Sequence, residues 1–492
     1  LTADNVFQIQ DEIARAVATA LEATLTAGEA ERLGRTPTQN LEALERVYRA
    51  TALLEQRGGA SIEAARELFH EARELDRNFA RAFAGEAQAI LLSVLGYSFG
   101  TILREEALAL ATPLVERALE LDPEDDMALA AMGRVRSLEF RNAEAVDWFR
   151  RSLAVNPSNA SVINWLHNEL MFTGAWSESA RLAVKGAQVD PMSRIALHVA
   201  AVALAREVDG DEGDIDALIE RLDQIDPAWA QMTRGDIARL RGALVDAVRH
   251  YQQALRQDPD LYRVREVLAM QLLAWDLAAE AGAIDSNFGE FYIAYHSGNW
   301  PRALALAQAQ FEASPQDFDS VANLALTLRS AGRWEEALQL GLIAWEAVGR
   351  NPHRWPPDAL VSVAWGGALT ERPAVREQFV TATRTVLDSV ESAGQRGIWY
   401  HFDLAEAMLA ALEGRNGEGV RHLAAAVDRG FRDLREAEGV MLAPLAGDLG
   451  YREQLDRMQR LIAEERSQVL DLVCGDGGLL AQQRNLADVC LR

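Results

Sequence analysis

The chain has 492 residues, 49% hydrophobic and 25% charged, with a formal net charge of −25 and a pI of about 4.8. Such an acidic balance lacks the basic stripe that nucleic-acid binding needs and opposes docking on anionic lipid, so both are excluded as expected partners. The plainest use of the charge is solubility. Ala, Leu, Glu and Arg dominate, all helix formers, and strand-type alternation is nearly absent.

Residues 5–31 read as an amphipathic helix, with Ile9, Ile13, Val17, Leu21 and Leu25 recurring every four residues. Gly34 and Pro37 end it. Residues 1–40 are therefore an N-terminal helix and linker. From residue 41 a paired-helix pattern begins, regular to 260 and degenerate over 261–440. Its punctuation is a dipeptide at fixed distance: Asp122-Pro123, Asn156-Pro157 and Asp190-Pro191 lie 34 residues apart. Asp226-Pro227, Asp258-Pro259, Ser314-Pro315 and Asn351-Pro352 continue it more loosely. The unit 126–159 is the clearest. Its first helix carries Leu129, Met132 and Gly133; its second carries Ala145, Phe149 and Ser152. Small residues at 133 and 145 let the helices approach, and Phe149 is expected to fill the space toward the next pair. Asn156-Pro157 stops the second helix. Near 46–79 the second-helix places hold Ala65, Phe69 and Ala72. Gly235, Ala247, Tyr251, Ala254 and Pro259 mark 228–261, and Ala337 and Ala344 mark 318–352. In 160–193 His167 stands where a small residue is expected. A unit of this length cannot bury its own apolar face, so neighbours must stack.

These residues resemble the tetratricopeptide repeat. The resemblance implies an all-α fold: a right-handed α-solenoid of tandem antiparallel helix pairs with a concave face for a protein or peptide. By repeat position the polar residues of that face are Arg134, Asn164, Asn168, His198, Asp236, Arg239 and Arg329. An Asn/Arg ladder suits a peptide backbone or a carboxylate, although the mixed signs argue against a dedicated carboxylate clamp, and a solvated face would look the same.

A second resemblance is narrower. Val6-Phe7-Gln8-Ile9-Gln10-Asp11-Glu12-Ile13-Ala14 with Pro37-Thr38-Gln39-Asn40-Leu41-Glu42-Ala43 looks like a bacterial junction between a small α/β domain and a tetratricopeptide array. Such proteins carry an N-terminal class III nucleotide cyclase, a winged-helix domain or a kinase. Gly430-Phe431 through Pro444-Leu445, then Tyr451 to Met458, resembles the ending of those arrays, with Ala443 replacing the acidic residue expected before the Pro. The resemblance implies a regulatory half whose output domain lies upstream of Leu1.

Chemistry is sparse. There is no P-loop, dinucleotide fingerprint, zincin helix or nucleophile elbow, so neither catalysis nor a cofactor is expected. Eight single histidines read as structural or solvated. Asp209-Gly210-Asp211-Glu212-Gly213-Asp214 with Glu220 imitates a calcium loop. It fails where Gly213 offers no side-chain oxygen and Asp214 replaces the turn glycine. An acidic loop, with Asp214 capping a helix over 215–225, fits better. Gly475-Asp476-Gly477-Gly478 reads as a turn between tail helices. The 11 tryptophans read mainly as packing, with Trp176, Trp300 and Trp334 opening second helices.

Residues 441–492 read as capping helices and a tail, the charged stretch 453–469 closing the array's end. Cys474 and Cys490 are the 2 cysteines. A tail helix folded back over 479–491 would hold them roughly 15 Å apart, too far for a bridge. This cysteine usage fits the cytoplasm and is compatible with the periplasm. No run approaches the length of a membrane span. The reading is a scaffold for protein contacts. The alternatives are the regulatory half of a signalling protein or a structural subunit, with 9–25 and 472–492 available for self-association.

Overall fold

The computed structural model describes residue 12 and residues 37–56, 58–94, 102–207, 210–285, 290–315, 318–395, 400–475 and 478–480. Apart from Glu12, the stripe expected over 5–31 lies outside the described residues, as does Cys490. Among the described residues the protein is an all-α solenoid of stacked helix pairs, and its one β feature is the isolated bridge between Val94 and Ile102. No helix among them is long and apolar enough to cross a membrane.

The chain forms two compact units, Leu1–Val162 and Ile163–Arg492. The first contains α1 (Leu41–Glu55), α2 (Gly59–Leu75), α3 (Ala80–Leu92), α4 (Arg104–Leu121), α5 (Asp126–Leu138) and α6 (Asn142–Val155). After α7 (Ala160–Met171), which spans the boundary, the second contains α8 (Trp176–Val189), α9 (Arg194–Ala205), α10 (Glu212–Ile225), α11 (Pro227–Leu240), α12 (Leu244–Gln257), α13 (Tyr262–Leu273), α14 (Ala278–Ile284) and α15 (Glu290–His296). It continues with α16 (Trp300–Ala313), α17 (Phe318–Ser330), α18 (Trp334–Ala347), α19 (Pro357–Leu369), α20 (Pro373–Ser392), α21 (Tyr400–Leu412), α22 (Asn416–Asp428), α23 (Leu434–Ala437) and α24 (Leu449–Cys474). The degenerate stretch near 262–300 is where helices shorten, α14 and α15 having 7 residues each.

The recurring dipeptide works as a two-part stop. At Asp122, Asp190 and Asp258 the backbone N–H closes the last helical turn, donating to Ala118, Gly186 and Ala254. The side chain then accepts the N–H two residues on, beyond the proline that has none to give, at 3.0, 3.1 and 3.0 Å. Within a pair, a glycine provides the notch for an aromatic ring. A Cβ on Gly133 would lie 2.5 Å from the Phe149 ring, and one on Gly235 would lie 2.5 Å from the Tyr251 ring. Phe149 thus fills a notch in its own pair, where the sequence pointed to the space before the next. Where His167 replaces the small residue, Ser179 faces it. The serine hydroxyl lies 2.8 Å from both His167 Nδ1 and the His167 carbonyl oxygen. The acidic loop is capped by Asp211, whose carboxylate accepts from Gly213 N at 2.7 Å. Its helix therefore starts at Glu212, ahead of the expected Asp214 cap.

In the second unit the inner face is not open. The turn before α8 meets the segment after α18: Asn351 Nδ2 donates to the Phe172 carbonyl oxygen at 2.8 Å, and Trp176 Nε1 donates to Ser389 Oγ at 3.2 Å. The turn between α11 and α12 meets the end of α22, where a Cβ on Gly242 would lie 2.7 Å from the Asp428 carbonyl oxygen. The helix α24 does not stop at the end of the array. It returns to α12–α14, burying Val469 and Val473 with Leu268, Leu272 and Trp275 in one core. Trp275 Nε1 donates to Glu465 Oε2 at 2.9 Å, and Arg466 Nε donates to the Trp275 carbonyl oxygen at 3.0 Å. Glu465 also holds Arg432 at 2.7 Å. Past Gly475 the chain reverses, with Leu480 N donating to the Val473 carbonyl oxygen at 3.0 Å. Cys474 is disulfide-bonded. This corrects the expectation that Cys474 is too far from a partner to bridge.

Candidate functional site

Residues of α9, α11, α17, α19, α21 and α23 build a polar interior in the second unit. Its basic end begins at His198 on α9. Thr233 donates its hydroxyl proton to the Trp229 carbonyl oxygen at 2.8 Å, so it accepts from His198 Nδ1 at 2.9 Å. That leaves His198 Nε2 facing Asp236 Oδ2 at 3.8 Å. Burial pushes His198 down to about 4, so the ring is neutral at pH 7. Tyr251 donates its hydroxyl to Asp236 Oδ1 at 2.7 Å, and Arg263 lies 3.5 Å from Oδ2. Burial and Asp236 hold the Tyr251 hydroxyl protonated well above the usual range. Arg239 adds a guanidinium whose Nε is shielded and lacks a hydrogen-bond partner. Arg206, the residue closing α9, is pushed down to about 10 by burial and by Arg239.

The acidic end is built from the region where the repeat register is lost. Arg329 on α17 donates to Glu436 Oε2 at 2.7 Å. Asp358, near the start of α19, pairs its Oδ2 with His401 Nδ1 at 3.0 Å. Asp433 caps α23 through Glu436 N at 3.1 Å. Asp358 Oδ1 and Glu436 Oε1 are shielded from solvent and have no hydrogen-bond partner. Against the upward pull of burial, His401 and Arg329 hold Asp358 below the usual carboxylate range. Burial, with Asp433 and Asp358 nearby, pushes Glu436 up despite Arg329. Burial and the same acidic groups raise Tyr400 as well.

Two cavities open onto this interior. One, of about 340 Å³, is lined by Tyr295, Arg329, Trp355, Asp358, Tyr400, Asp433 and Glu436 among others. The other, of about 440 Å³, is lined by Phe172, Trp176, Arg206, Arg354, Trp355, His401 and Phe402 among others. Trp355 belongs to both walls, and the His401–Asp358 pair contributes one member to each.

The expected groove residues are distributed unevenly. His198, Asp236 and Arg239 share the basic end, and Arg329 stands in the acidic chamber. Asn164 and Asn168 are half-buried on α7, where Asn168 Nδ2 donates to the Asn164 carbonyl oxygen at 3.0 Å. Arg134 belongs to the first unit and is 5% exposed. Sequence reasoning missed Arg206, Trp355, Asp358, Tyr400, His401 and Glu436. Only Arg206 carried a signal, a single cation following the nearly all-apolar helix Arg194–Ala205. Among the described residues no group of three or more His, Cys, Asp or Glu side chains could hold a metal ion.

No family model matches the chain, and no curated protein does. Among solved structures it is similar to the APC/C hetero-tetramer Cut9–Hcn1, at 13% identity over 98% of this chain and 92% of that one, TM-score 0.47. It is similar to yeast Tom70 at 14% identity, covering 86% of this chain and 99% of that one, TM-score 0.31. It is also similar to Pseudomonas aeruginosa PilF at 15% identity, covering 47% and 98%, TM-score 0.32.

Proposed function

We propose that the chain is a scaffold for protein contacts, and that its second unit takes a partner segment by drawing a basic side chain into the acidic chamber. The carrying observation is the pair of shielded carboxylate oxygens, Asp358 Oδ1 and Glu436 Oε1, left without donors beside Tyr400. A buried acceptor without a partner costs about 1–3 kcal/mol, and more when charged. A lysine or arginine from a guest would satisfy both oxygens and offset the excess of Asp358, Asp433 and Glu436 over Arg329. The ring faces of Trp355 and Tyr400 suit the stem and charge of such a side chain.

Capture of arrayed peptides by the purified chain tests this. Arginine- or lysine-bearing peptides should be retained and their citrulline or norleucine counterparts released. The double substitution Asp358→Asn with Glu436→Gln should weaken capture about 10-fold or more while the helical signal persists. Retention that ignores the basic residue, or survives the double substitution, would refute the reading.

A second reading, the regulatory segment of a bacterial signalling protein, rests on the junction-like residues 6–43 and the array ending at 430–458. In that ending Tyr451 donates its hydroxyl to the Ala437 carbonyl oxygen at 2.7 Å, which ties the last helix to the loop before it. Placing an output domain upstream and assaying it with and without this chain tests that reading. An unchanged output activity would count against it.

A further inference from the structure

We propose that the 440 Å³ cavity is a binding site for a neutral aromatic molecule that carries one hydroxyl group. This stands apart from the peptide reading, because it uses the other cavity and asks for no charge on the guest. The volume falls in the range of small-molecule sites, roughly 300–1,000 Å³.

Most of the wall is ring and hydrocarbon. Phe172, Trp176, Trp355 and Phe402 line it, with Leu240 and Val386 among the aliphatic residues between them. Water finds few partners against such a wall, and an apolar guest that displaces it gains. Rings on several sides favour a flat aromatic body over an alkyl chain, because ring faces and edges attract one another beyond the area they bury.

The charged and polar side chains of the wall are engaged within the protein. Trp176 Nε1 donates to Ser389 Oγ at 3.2 Å. Gln395 Nε2 donates to Glu207 Oε1 at 3.4 Å, and His401 Nδ1 pairs with Asp358 Oδ2 at 3.0 Å. Arg354 lies over the Phe172 ring at 4.4 Å, and Arg206 Nη1 lies 3.3 Å from Met171 Sδ. Neither arginine is without a partner, so the wall gives no reason for a guest to be charged. A charged guest would give up its hydration for apolar surroundings.

His353, which also lines the cavity, differs. Its Nδ1 is shielded and has no hydrogen-bond partner. Burial lowers its pKa, so the ring is neutral at pH 7. The ring sits where Gly174 has no side chain, and a Cβ there would lie 2.7 Å from Nε2. A neutral imidazole nitrogen donates in one tautomer and accepts in the other, and a hydroxyl serves either. An ether or carbonyl would meet only the donor form. Pairing Nδ1 would remove the cost of a buried polar atom left unsatisfied.

The test uses the whole chain and equilibrium dialysis at pH 7 with 2-naphthol, 2-methylnaphthalene and 2-naphthoate. 2-Naphthol should bind at one site per chain, with 2-methylnaphthalene about 5-fold weaker and 2-naphthoate about 10-fold weaker or more. His353→Leu should remove the advantage of the naphthol over the hydrocarbon, while the affinity for the hydrocarbon holds within about 2-fold. Val386→Phe, which fills part of the cavity, should weaken both by about 10-fold with the circular dichroism unchanged. If either variant fails to fold, the ranking of the compounds by the intact chain still decides. Equal binding of the naphthol and the hydrocarbon, tighter binding of the naphthoate, or no binding by any panel member would overturn the proposal. So would a naphthol preference that survives in folded His353→Leu, an equal loss of both compounds there, or undiminished binding in folded Val386→Phe. Peptide capture reads the other cavity, so the two readings fail separately.

Discussion

The two units share one helix-pair grammar and draw the partners of their buried charges from different distances along the chain. In the first, the partners lie close along the chain: Glu86 lies 2.9 Å from Arg73 and 3.1 Å from His70, and Arg81 meets both Asp125 and Asp126, while Arg73 Nε, Glu86 Oε2 and Arg136 Nε make no hydrogen bond. In the second, Asp358 and Glu436 keep shielded oxygens without hydrogen-bond partners beside the 340 Å³ cavity. Long-range returns of the chain make the difference. Asp433 and Glu436 arrive on α23, far along the sequence from Arg329, and complete a chamber that no local repeat could form. A repeat array thus builds structure from adjacent pairs and builds an interior only where its later helices come back.

The largest expected effect tests that return. Trp275→Ala removes a fully buried indole and its bond to Glu465, and should cost about 3–5 kcal/mol. Denaturant unfolding measures the loss. Hydrogen exchange should show protection falling in α24 and the second unit while α1–α6 stay protected. Equal loss in both units would break the comparison.

Acid comes next. His167 and His198 are both pushed by burial from 6.5 down to about 4. The unfolded chain therefore binds protons that the folded chain refuses, and stability falls as pH drops from about 6.5 toward 4. Each ring contributes up to about 3 kcal/mol across that window. The difference between wild type and His198→Gln in urea midpoints at pH 7 and pH 5 reports it. A gap that stays constant with pH would show that His198 titrates normally.

A smaller, shared effect should appear at the notches. Gly133→Ala and Gly235→Ala each place a methyl 2.5 Å from a ring, and each should lower stability by about 1–3 kcal/mol in thermal melts. Similar costs at the two sites would sharpen the view that the pairs are the same device in both units. The smallest effect is expected on the surface. Arg333→Ala breaks an exposed pair with Glu336 and should leave the melting temperature unchanged.

What could be read beforehand follows the same division. Gly133 with Phe149 and Asn156-Pro157 were legible because their partners lie within one helix pair, so fixed spacing encodes them. His198, Asp236 and Arg239 could be placed on an inner face for the same reason. The chamber was not legible, because Glu436 stands 107 residues from Arg329 and no period relates them. Spacing says which residues face inward and is silent on what arrives to cover them. The tail followed the same rule. Its charged helix looked like a solvent-facing end, yet Val469 and Val473 sit on its buried stripe against Trp275.

The double grip of Glu465 on Trp275 and Arg432 has a mechanical consequence. A plain array yields under tension one repeat at a time, like a spring losing its coils. Here a rivet joins parts of the chain about 190 residues apart, so a pulled molecule should hold its length and then give way in a single rupture.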